Sequence, residues 1–224
     1  MRPKSLPLGH ICEITASPSS DLFATLAVST VGTPVVTPAD ITSTQRISTE
    51  TLRRLPDAPA GLERYRLRPG DLVLVRLGSV GKVALLGEDA GDWVYHSSCI
   101  RIRPDAERVN PVYLAAYLAH QPVVDQLLSH VQVGTVPVLT ADSLRSLPVV
   151  LPAPDVQQIM ARALVEVGVQ MDIQQQILTR LNCVRQGLLA HVLGDELSES
   201  AASRPQTSSP ERRTPRTRRT NRMS

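Results

Sequence analysis

Regularly spaced apolar residues near the end of this 224-residue chain restrict its fold more than any other feature. Starting at Met160 and ending at Val192, steps that alternate between four and three residues define ten positions. Eight of these ten positions hold apolar residues. This spacing predicts an α-helix with one apolar side that packs on a partner helix, as in a coiled coil. We name these ten positions the seam: Met160, Leu164, Val167, Met171, Gln174, Leu178, Leu181, Arg185, Leu188 and Val192.

The same segment carries signals for both helix ends. Pro154 suits the first turn of a helix, Asp155 places a negative charge at the positive end of the helix dipole, and Gly194 suits its end. A helix over residues 153–194 would be about 60 Å long at ~1.5 Å per residue, longer than a domain of this size is wide. We therefore expect it to project or to pack on another chain. The polar seam members, Gln174 and Arg185, would fix its register or lie at its rim.

The residues before this helix predict a strand-rich body. The sequence YRLRPGDLVLVRLGSVGKVALLGED predicts a hairpin with strands at 72–77 and 80–86 and a tip at 78–81. The sequence WVYHSSCIRIRP predicts a further strand, in which Arg101 and Arg103 alternate with isoleucines. The two arginines should therefore share one face of this strand, toward solvent or DNA.

Helical segments and a single core complete the predicted body. Asn110 and Pro111 suit a helix start, Pro122 starts a second helical piece, and Thr140 caps a short third helix. A chain of 224 residues, 42% of them hydrophobic, can bury one ordinary core. The expected fold class is therefore α/β (α+β), with a mixed strand-rich body at 1–152, one long coiled-coil helix at 153–194 and a disordered basic tail at 195–224.

Charge is distributed unevenly along the chain. The formal net charge is +3, but the last 27 residues hold seven arginines and two glutamates, which leaves 17 basic and 19 acidic residues elsewhere. This tail has almost no apolar residues and cannot offset the entropy of ordering, so we expect it to be disordered. It would either add salt-sensitive DNA affinity or only increase solubility. The overall charge is therefore poor support for nucleic-acid binding.

Several classes of function are disfavoured by missing motifs. Cys12, Cys99 and Cys183 are far apart and form no C-x-x-C pair, so they predict reduced thiols rather than disulfides or a zinc site. We find no P-loop, no cofactor-binding glycine fingerprint and no Asn-Pro-Pro-Tyr motif of methyltransferases. No apolar run approaches the roughly 18 residues of a membrane helix. The sequence therefore predicts a cytoplasmic chain with no bound metal and no cofactor of its own.

Three segments, in this order, resemble the specificity subunit of type I restriction-modification systems. They are LRPGDLVLVRLGSVGKVALL, NPVYLAAYLAHQPVVDQLLSHVQVGTVPVLT and LPVVLPAPDVQQ, the last of which leads into the long helix. The set covers about residues 65–193, and its order is more specific than the common hairpin sequence PGD. Complete subunits of the family contain two recognition domains and two long helices, whereas this sequence has one of each. It therefore resembles a half-size form.

The resemblance implies a non-catalytic chain whose body, 1–152, is a target recognition domain for double-stranded DNA. Catalysis would belong to partners: a DNA methyltransferase subunit, which uses S-adenosylmethionine, and a restriction subunit. A two-fold homodimer formed through the seam would rebuild the arrangement of two domains on an antiparallel helical spacer. Such a dimer would read an interrupted palindrome. Pairing with another, complete specificity subunit is the alternative to the homodimer.

The candidate DNA contacts are polar, basic and aromatic side chains at turns and strand ends. At the hairpin tip, Lys82 could contact a phosphate, and Arg76 or Ser79 could reach a base edge. Glutamine and arginine also suit contacts to adenine, guanine and phosphate. For each residue the alternative is a solvated or purely structural side chain. The remaining candidates are Gln45, Arg46, Arg53, Arg54, Tyr95, His96, Gln132 and Thr135.

Two other functions are consistent with parts of the sequence. One is a coiled-coil adaptor that scaffolds proteins without reading bases. The other is a Ser/Lys dyad protease, because GDLVLVRLG followed by GK resembles the strand before the general-base lysine of those enzymes. Ser43 and Ser48 are at suitable distances along the chain, but neither lies in a Gly-Asp-Ser-Met-like setting. The long helix would also be unexplained in a protease.

Overall fold

The structure is a computed structural model that describes most residues of the chain. Contacts between residues divide it into two compact units, Met1–Gln174 and Gln175–Ser224. For residues 192 and 194–202 the backbone alone is described. The described residues are 4–16, 19–50, 52–56, 61–129 and 138–202.

Nine strands and four α-helices follow one another along the described residues. The strands are β1 Lys4–Pro7, β2 Cys12–Ala16, β3 Thr33–Val36, β4 Arg53–Leu55, β5 Leu72–Val75, β6 Val83–Leu85, β7 Val94–Tyr95, β8 Cys99–Pro104 and β9 Pro148–Leu151. The helices are α1 Pro111–Ala119, α2 Gln121–Ser129, α3 Ala141–Arg145 and α4 Pro154–Ala202. This combination of antiparallel strands and helices confirms the expected α+β class.

Three small sheets form the body. The largest has the order β2-β8-β5-β6 and is antiparallel throughout, with Leu72 of β5 opposite Ile102 of β8. A second sheet has the order β4-β3-β7, in which β3 pairs with β4 antiparallel and with β7 parallel. The first strand, β1, pairs with β9 and so brings the start of the chain beside the entry to α4.

Strand β5 is buried on both faces, which explains why its sequence LVLV does not alternate with polar residues. Leu72 and Leu74 belong to a core cluster that also contains residues of α1, α2 and α3. Val73 and Val75 belong to a second cluster, which includes Tyr95 of β7. The predicted single core is therefore divided into layers on either side of the largest sheet.

The predicted hairpin is present, but its strands are shorter than expected and its tip is longer. Strand β5 ends at Val75, and the next N–H, that of Arg76, donates to the Ser98 carbonyl on the β8 side at 2.8 Å. Leu77 instead forms an isolated bridge with Val138. Residues 76–82 therefore form the tip, in which Gly78 and Gly81 adopt the positive φ angles that favour glycine.

The paired arginines of β8 are not on an open face, which corrects the expectation of solvent or DNA. Arg101 is 3% exposed, and its guanidinium donates to Glu13 Oε1 at 2.6 Å and to the backbone carbonyls of Arg64 and Arg66. Arg103 makes a two-pronged contact with the buried carboxylate of Asp71, at 2.7 and 2.8 Å. Both guanidinium groups are thus used to hold β8 against neighbouring segments.

Helix α4 begins where expected and continues past its predicted end. It starts at Pro154, with Asp155 in the first turn, and runs as one helix to Ala202. Gly194 does not stop it, because a glycine inside a helix costs only ~1 kcal/mol relative to alanine and good helix formers follow it. Residues 195–202 therefore belong to the helix rather than to the predicted tail. Residues 203–224 of that tail lie outside the described residues. Among the described helices, none is both long and apolar enough to cross a membrane.

The Glu13–Arg101 pair should make the fold sensitive to acid. Desolvation opposes ionisation of Glu13, but Arg101 and a hydrogen bond from Thr15 outweigh it and lower the pKa of Glu13 below its ordinary value of 4.5. The stabilisation is therefore complete above pH 4.5 and is lost as the pH falls through the lower pKa of the folded state. Because 59% of the Glu13 side chain is exposed, solvent screens the pair, and we expect Glu13→Gln to lower the free energy of unfolding at pH 7 by only about 0.5–1 kcal/mol. Thermal unfolding followed by circular dichroism from pH 3 to pH 7 measures the difference.

A matched control is Glu107→Gln, which changes an exposed carboxylate without an arginine partner among the described residues. This variant should follow the wild-type curve throughout. The difference between E13Q and wild type should shrink as the pH falls, because protonation removes the same charge from the wild-type protein. A constant difference at every pH would contradict the role assigned to the Glu13 charge.

Candidate nucleic-acid interface

The turn at residues 42–46 holds two of the predicted contact residues in a fixed backbone. The Thr42 N–H donates to the Arg46 carbonyl at 2.9 Å, and the Arg46 N–H donates to Thr42 Oγ1 at 3.1 Å. Gln45 has φ 62°, a left-handed conformation that is strained for a residue other than glycine. Its carbonyl accepts the Leu85 N–H at 3.0 Å, which holds the turn against β6. The Gln45 side chain is therefore presented from a rigid support.

The hairpin tip lies beside this turn. Gln45 and Lys82 line the same shallow cleft of about 350 Å³, together with Gly81 and Val124. A Cβ atom on Gly81 would lie 2.9 Å from Val124 Cγ1, so the tip packs closely on α2. Ser79 and Lys82 remain exposed at this tip. The fold thus brings the amide of Gln45 to the hairpin tip that carries the Ser79 hydroxyl and the Lys82 ammonium group, more than thirty residues later in the sequence.

A second group of predicted residues lies around His96. The His96 ring packs 5.0 Å from the Phe23 ring, and its Nδ1 lies 3.1 Å from Ser98 Oγ. Burial, followed by the positive charge of Arg53, lowers the pKa of His96 below 6.5. The imidazole is therefore neutral at pH 7 and available for hydrogen bonding rather than ion pairing. Arg76 reaches the same region through its backbone contact with Ser98.

Two further arginines of the predicted set are occupied by contacts inside the chain. Arg54 Nη1 donates to the Gly32 carbonyl at 2.9 Å and so holds the loop before β3. Arg46 Nε lies 3.0 Å from Asp172 Oδ2 on α4, although about half of its side chain is exposed. These contacts account for each guanidinium structurally, and contact with DNA stays a prediction for both.

The structure corrects the prediction for Tyr95. Its side chain is 0% exposed, and its hydroxyl donates to the carbonyls of Thr15 and Ala16 at 3.1 and 3.2 Å. Burial also raises the pKa of this hydroxyl. Tyr95 therefore stabilises the junction of two sheets and is not accessible to DNA. Gln132 and Thr135, also predicted as contacts, lie outside the described residues.

Two valines that the sequence did not single out as candidates, Val28 and Val31, are strongly exposed. Val28 is 91% exposed and Val31 is 71% exposed, in the loop that leads into β3. The loop is ordered by Ser29, whose Oγ donates to the Val31 carbonyl and accepts its N–H, both at 3.0 Å. The sequence offered one signal for this exposed pair, which is the presence of two valines in the Ser/Thr-rich segment AVSTVGT. The core does not include either side chain, so both can remain in solvent.

A larger cleft lies between the body and the first part of α4. Its volume is about 420 Å³. We name it the seam cleft, because it is lined by Leu164, Val167 and Met171 of the seam. The other walls come from α1, the 43–47 turn and β6, and the α1 residues are Val112, Ala115 and Ala116. Except for Leu164, which is half-buried, the described apolar members of the seam are 41–63% exposed.

The described residues offer little for metal or thiol chemistry. Among them, no group of three His, Cys, Asp or Glu side chains could hold a metal ion. Burial, reinforced by Asp105, raises the pKa of Cys12 to about 12, and burial with Asp40 raises that of Cys99 to about 12. Both thiols are therefore protonated at neutral pH and poorly nucleophilic.

Comparison with known families decides the class of the chain. The family model described as "Type I restriction modification DNA specificity domain" matches residues 4–182. The chain belongs to this family. A domain of this family is non-catalytic, so the chain is a specificity domain and not an enzyme. No curated protein matches the chain.

Solved structures of specificity subunits share the fold. One chain, from a study titled "Structural basis underlying complex assembly and conformational transition of the type I R-M system", is 19% identical with a TM-score of 0.60, over 85% of this specificity domain. The HsdS subunit from Thermoanaerobacter tengcongensis is 18% identical with a TM-score of 0.54, over 78% of this domain. The present chain spans only 44% and 39% of those two chains, less than half of each.

The proximity of Arg53 to His96 can be tested by titration. We expect Arg53→Gln to raise the pKa of His96 toward, but not to, its ordinary value of 6.5, because burial, the larger cause, remains. Since the fold disfavours protonated His96, the stability from this group is present above pH 6.5 and is lost as the pH falls through the lower folded pKa. Ring proton shifts measured by NMR between pH 4 and pH 8 report the value. The control is Arg68→Gln, at another exposed arginine, which should leave the pKa of His96 unchanged. Equal titration curves for the wild type and both variants would contradict the interaction.

Proposed function

We propose that this chain is the sequence-specific DNA-recognition subunit of a type I restriction-modification complex. The observation that carries the proposal is the family match over residues 4–182, which includes both the body and much of α4. Residues 1–152 would read one half of a DNA site, and α4 would connect that body to a partner. The chain would act in the cytoplasm, where the DNA is.

The chemistry of the exposed side chains supports DNA reading by one side of the body. Gln45 and Lys82 share a cleft, with the Gln45 backbone held rigid by β6. A glutamine can make two hydrogen bonds to adenine, and a lysine contributes attraction to phosphate. Arg53, Arg76, Ser79 and His96 would extend this surface. Because Arg101 and Arg103 are held inside the fold, they are not available to DNA, and these peripheral groups would supply positive charge on this side of the body.

The exposed seam supports dimerisation through α4. Apolar side chains that recur with a 4,3 spacing and remain solvent-exposed require a partner helix. Since the chain spans less than half of two related specificity chains, two copies would supply the second recognition domain and the second long helix. A two-fold homodimer would then read an interrupted palindrome, whose gap depends on the helices between the two bodies.

Chemistry on the DNA would be supplied by other subunits. A DNA methyltransferase subunit would bind S-adenosylmethionine and modify the base, and a restriction subunit would cleave unmodified DNA. The specificity chain itself would hold no cofactor in this arrangement. Its part is to place the methyltransferase on a chosen sequence.

Methylation sequencing tests the proposed function directly. We expect a strain that expresses this chain with its methyltransferase subunit to contain N6-methyladenine at an interrupted palindrome, and to lose that motif when the chain is deleted. Gln45→Ala should relax the motif at one base pair, because a two-hydrogen-bond contact discriminates by about 1–3 kcal/mol. Lys82→Ala should instead weaken binding about equally for all sequences and reduce its salt dependence.

Arg162→Ala is the control for these variants, because it removes a charge from α4 outside the proposed reading surface. It should leave the motif unchanged. A strain in which no motif depends on the chain would contradict the proposal and would favour a scaffold without base reading. A motif that depends on the chain but not on Gln45 or Lys82 would retain the function and reject this surface.

A further inference from the structure

The loop at residues 27–32 is held at both ends by one residue of β4. At its start, the Ala27 N–H donates to the Arg54 carbonyl at 3.1 Å, and the Arg54 N–H donates to the Ala27 carbonyl at 2.9 Å. At its end, Arg54 Nη1 donates to the Gly32 carbonyl at 2.9 Å. We name residues 27–32 the valine loop. Three hydrogen bonds to Arg54 close this loop and tie both of its ends to β4.

Close packing at Gly32 restricts the valine loop further. Gly32 has φ 108°, and a Cβ atom at this position would lie 2.2 Å from the carbonyl oxygen of Leu55. Only a glycine permits so close an approach of two backbone segments. Inside the loop, the Ser29 hydroxyl binds both the N–H and the carbonyl of Val31. The backbone that carries the two valines is therefore fixed at both ends and in its middle.

The valine loop presents two apolar side chains to solvent. The exposures of Val28 and Val31, 91% and 71%, are the largest among the large apolar side chains of the described residues. One exposed valine needs no explanation, but ordering a loop that displays two of them costs conformational entropy. No apolar burial within the loop tip offsets that cost. Since valine side chains are stiff at χ1, they also lose little further freedom when a partner covers them.

The charges around the valine loop suit a polyanion. From Leu22 to Ala39 the chain carries no carboxylate. Arg53, which precedes the residue that closes the loop, is exposed, and its positive charge reaches His96. An apolar tip with a cation beside it and no negative charge of its own matches the major groove of DNA, where phosphates border the exposed base edges.

We propose that the valine loop reads the C5-methyl group of a thymine in the major groove of the target DNA, with Val28 and Val31 as contacts and Arg54 as the positioning residue. Thymine is the standard base that presents a methyl group there, and apolar side chains recognise it by contact. Side chains that wedge between base pairs are usually larger than valine. The inference rests on the proposed function and adds an apolar contact to the polar candidates for base reading.

Replacement of thymine by uracil tests the methyl contact, because uracil pairs with adenine in the same way and lacks only the C5-methyl group. The probe is a duplex that carries the methylation motif, with each thymidine replaced in turn by deoxyuridine. The full chain, bound to its methyltransferase subunit, should bind about 4-fold more weakly when a recognised methyl group is removed. The variant V28A/V31A should bind both duplexes almost equally. Fluorescence anisotropy at one fixed salt concentration measures the ratio of the dissociation constants.

The matched control is V150A/V156A, which shortens two exposed valines outside the loop and should keep the wild-type ratio. Thermal unfolding should be unchanged in V28A/V31A, because neither side chain belongs to the core. If V28A/V31A discriminates thymine from uracil as the wild type does, the proposed methyl contact is wrong. If it loses affinity equally for every duplex, the valines contact the methyltransferase subunit or the DNA backbone, and the proposal is overturned as well.

The positioning role of Arg54 predicts a different pattern. Arg54→Gln removes the side-chain hydrogen bond to Gly32 and should lower the discrimination between thymine and uracil toward 1. Arg54→Lys, which keeps a donor, should restore part of it. The slope of log affinity against log salt should stay as in the wild type, whereas loss of a phosphate contact would reduce its magnitude by about 0.9. A reduced slope with unchanged discrimination would overturn the positioning role.

The same measurements separate this inference from the proposed function. A wild-type complex that binds its motif no better than unrelated DNA would reject the proposed function, and the methyl contact with it. A complex that prefers its motif, but whose discrimination between thymine and uracil does not depend on Val28 and Val31, would retain the function and reject the inference. Loss of discrimination confined to V28A/V31A and to Arg54→Gln would support both.

Discussion

Burial of β5 on both faces is the constraint on which the rest of the body depends. Its alternate side chains supply two core clusters, one that contains the helices and one that contains β7. Because both faces of β5 are covered, none of its side chains reaches solvent. Contacts with the outside are therefore made where the strand ends, and the 76–82 tip and the neighbouring 42–46 turn carry several of the candidate residues.

Ion pairs around this central sheet divide the arginines by role. Arg101 and Arg103 join β8 to Glu13 and to Asp71, and the Asp71 carboxylate also accepts the Arg68 N–H at the turn before β5. Arg101 and Asp71 are the buried members of these pairs, and removal of the partner of a buried charge costs more than loss of a pair that is exposed on both sides. These groups hold the sheet together. The groups proposed to contact DNA lie at the periphery of the body, where a phosphate group can replace solvent.

The 42–46 turn connects the proposed reading surface with the first part of α4. Gln45 lines the cleft that also contains Lys82, and the same residue lines the seam cleft. Arg46 also pairs with Asp172 on α4.

The sequence by itself determined the elements whose signals are local. The 4,3 repeat and Pro154 predicted α4, Asn110 and Thr140 predicted helix starts that the structure confirms with side-chain caps, and the Pro-Gly-Asp turn predicted the hairpin. Three ordered segments were also enough to identify the family. Each of these signals depends on residues that are neighbours along the chain or repeat with the period of one helix.

Only the tertiary structure decided which side chains are accessible. Alternation placed Arg101 and Arg103 on one face, but it could not show that Glu13 and Asp71 would cover that face. Tyr95 was predicted to contact DNA because of its position in a strand, whereas its hydroxyl binds carbonyls from a segment some eighty residues earlier. The seam cleft likewise combines α1, a turn and α4, which are remote in sequence. Periodicity defines the faces of an element, and long-range packing determines what covers each face.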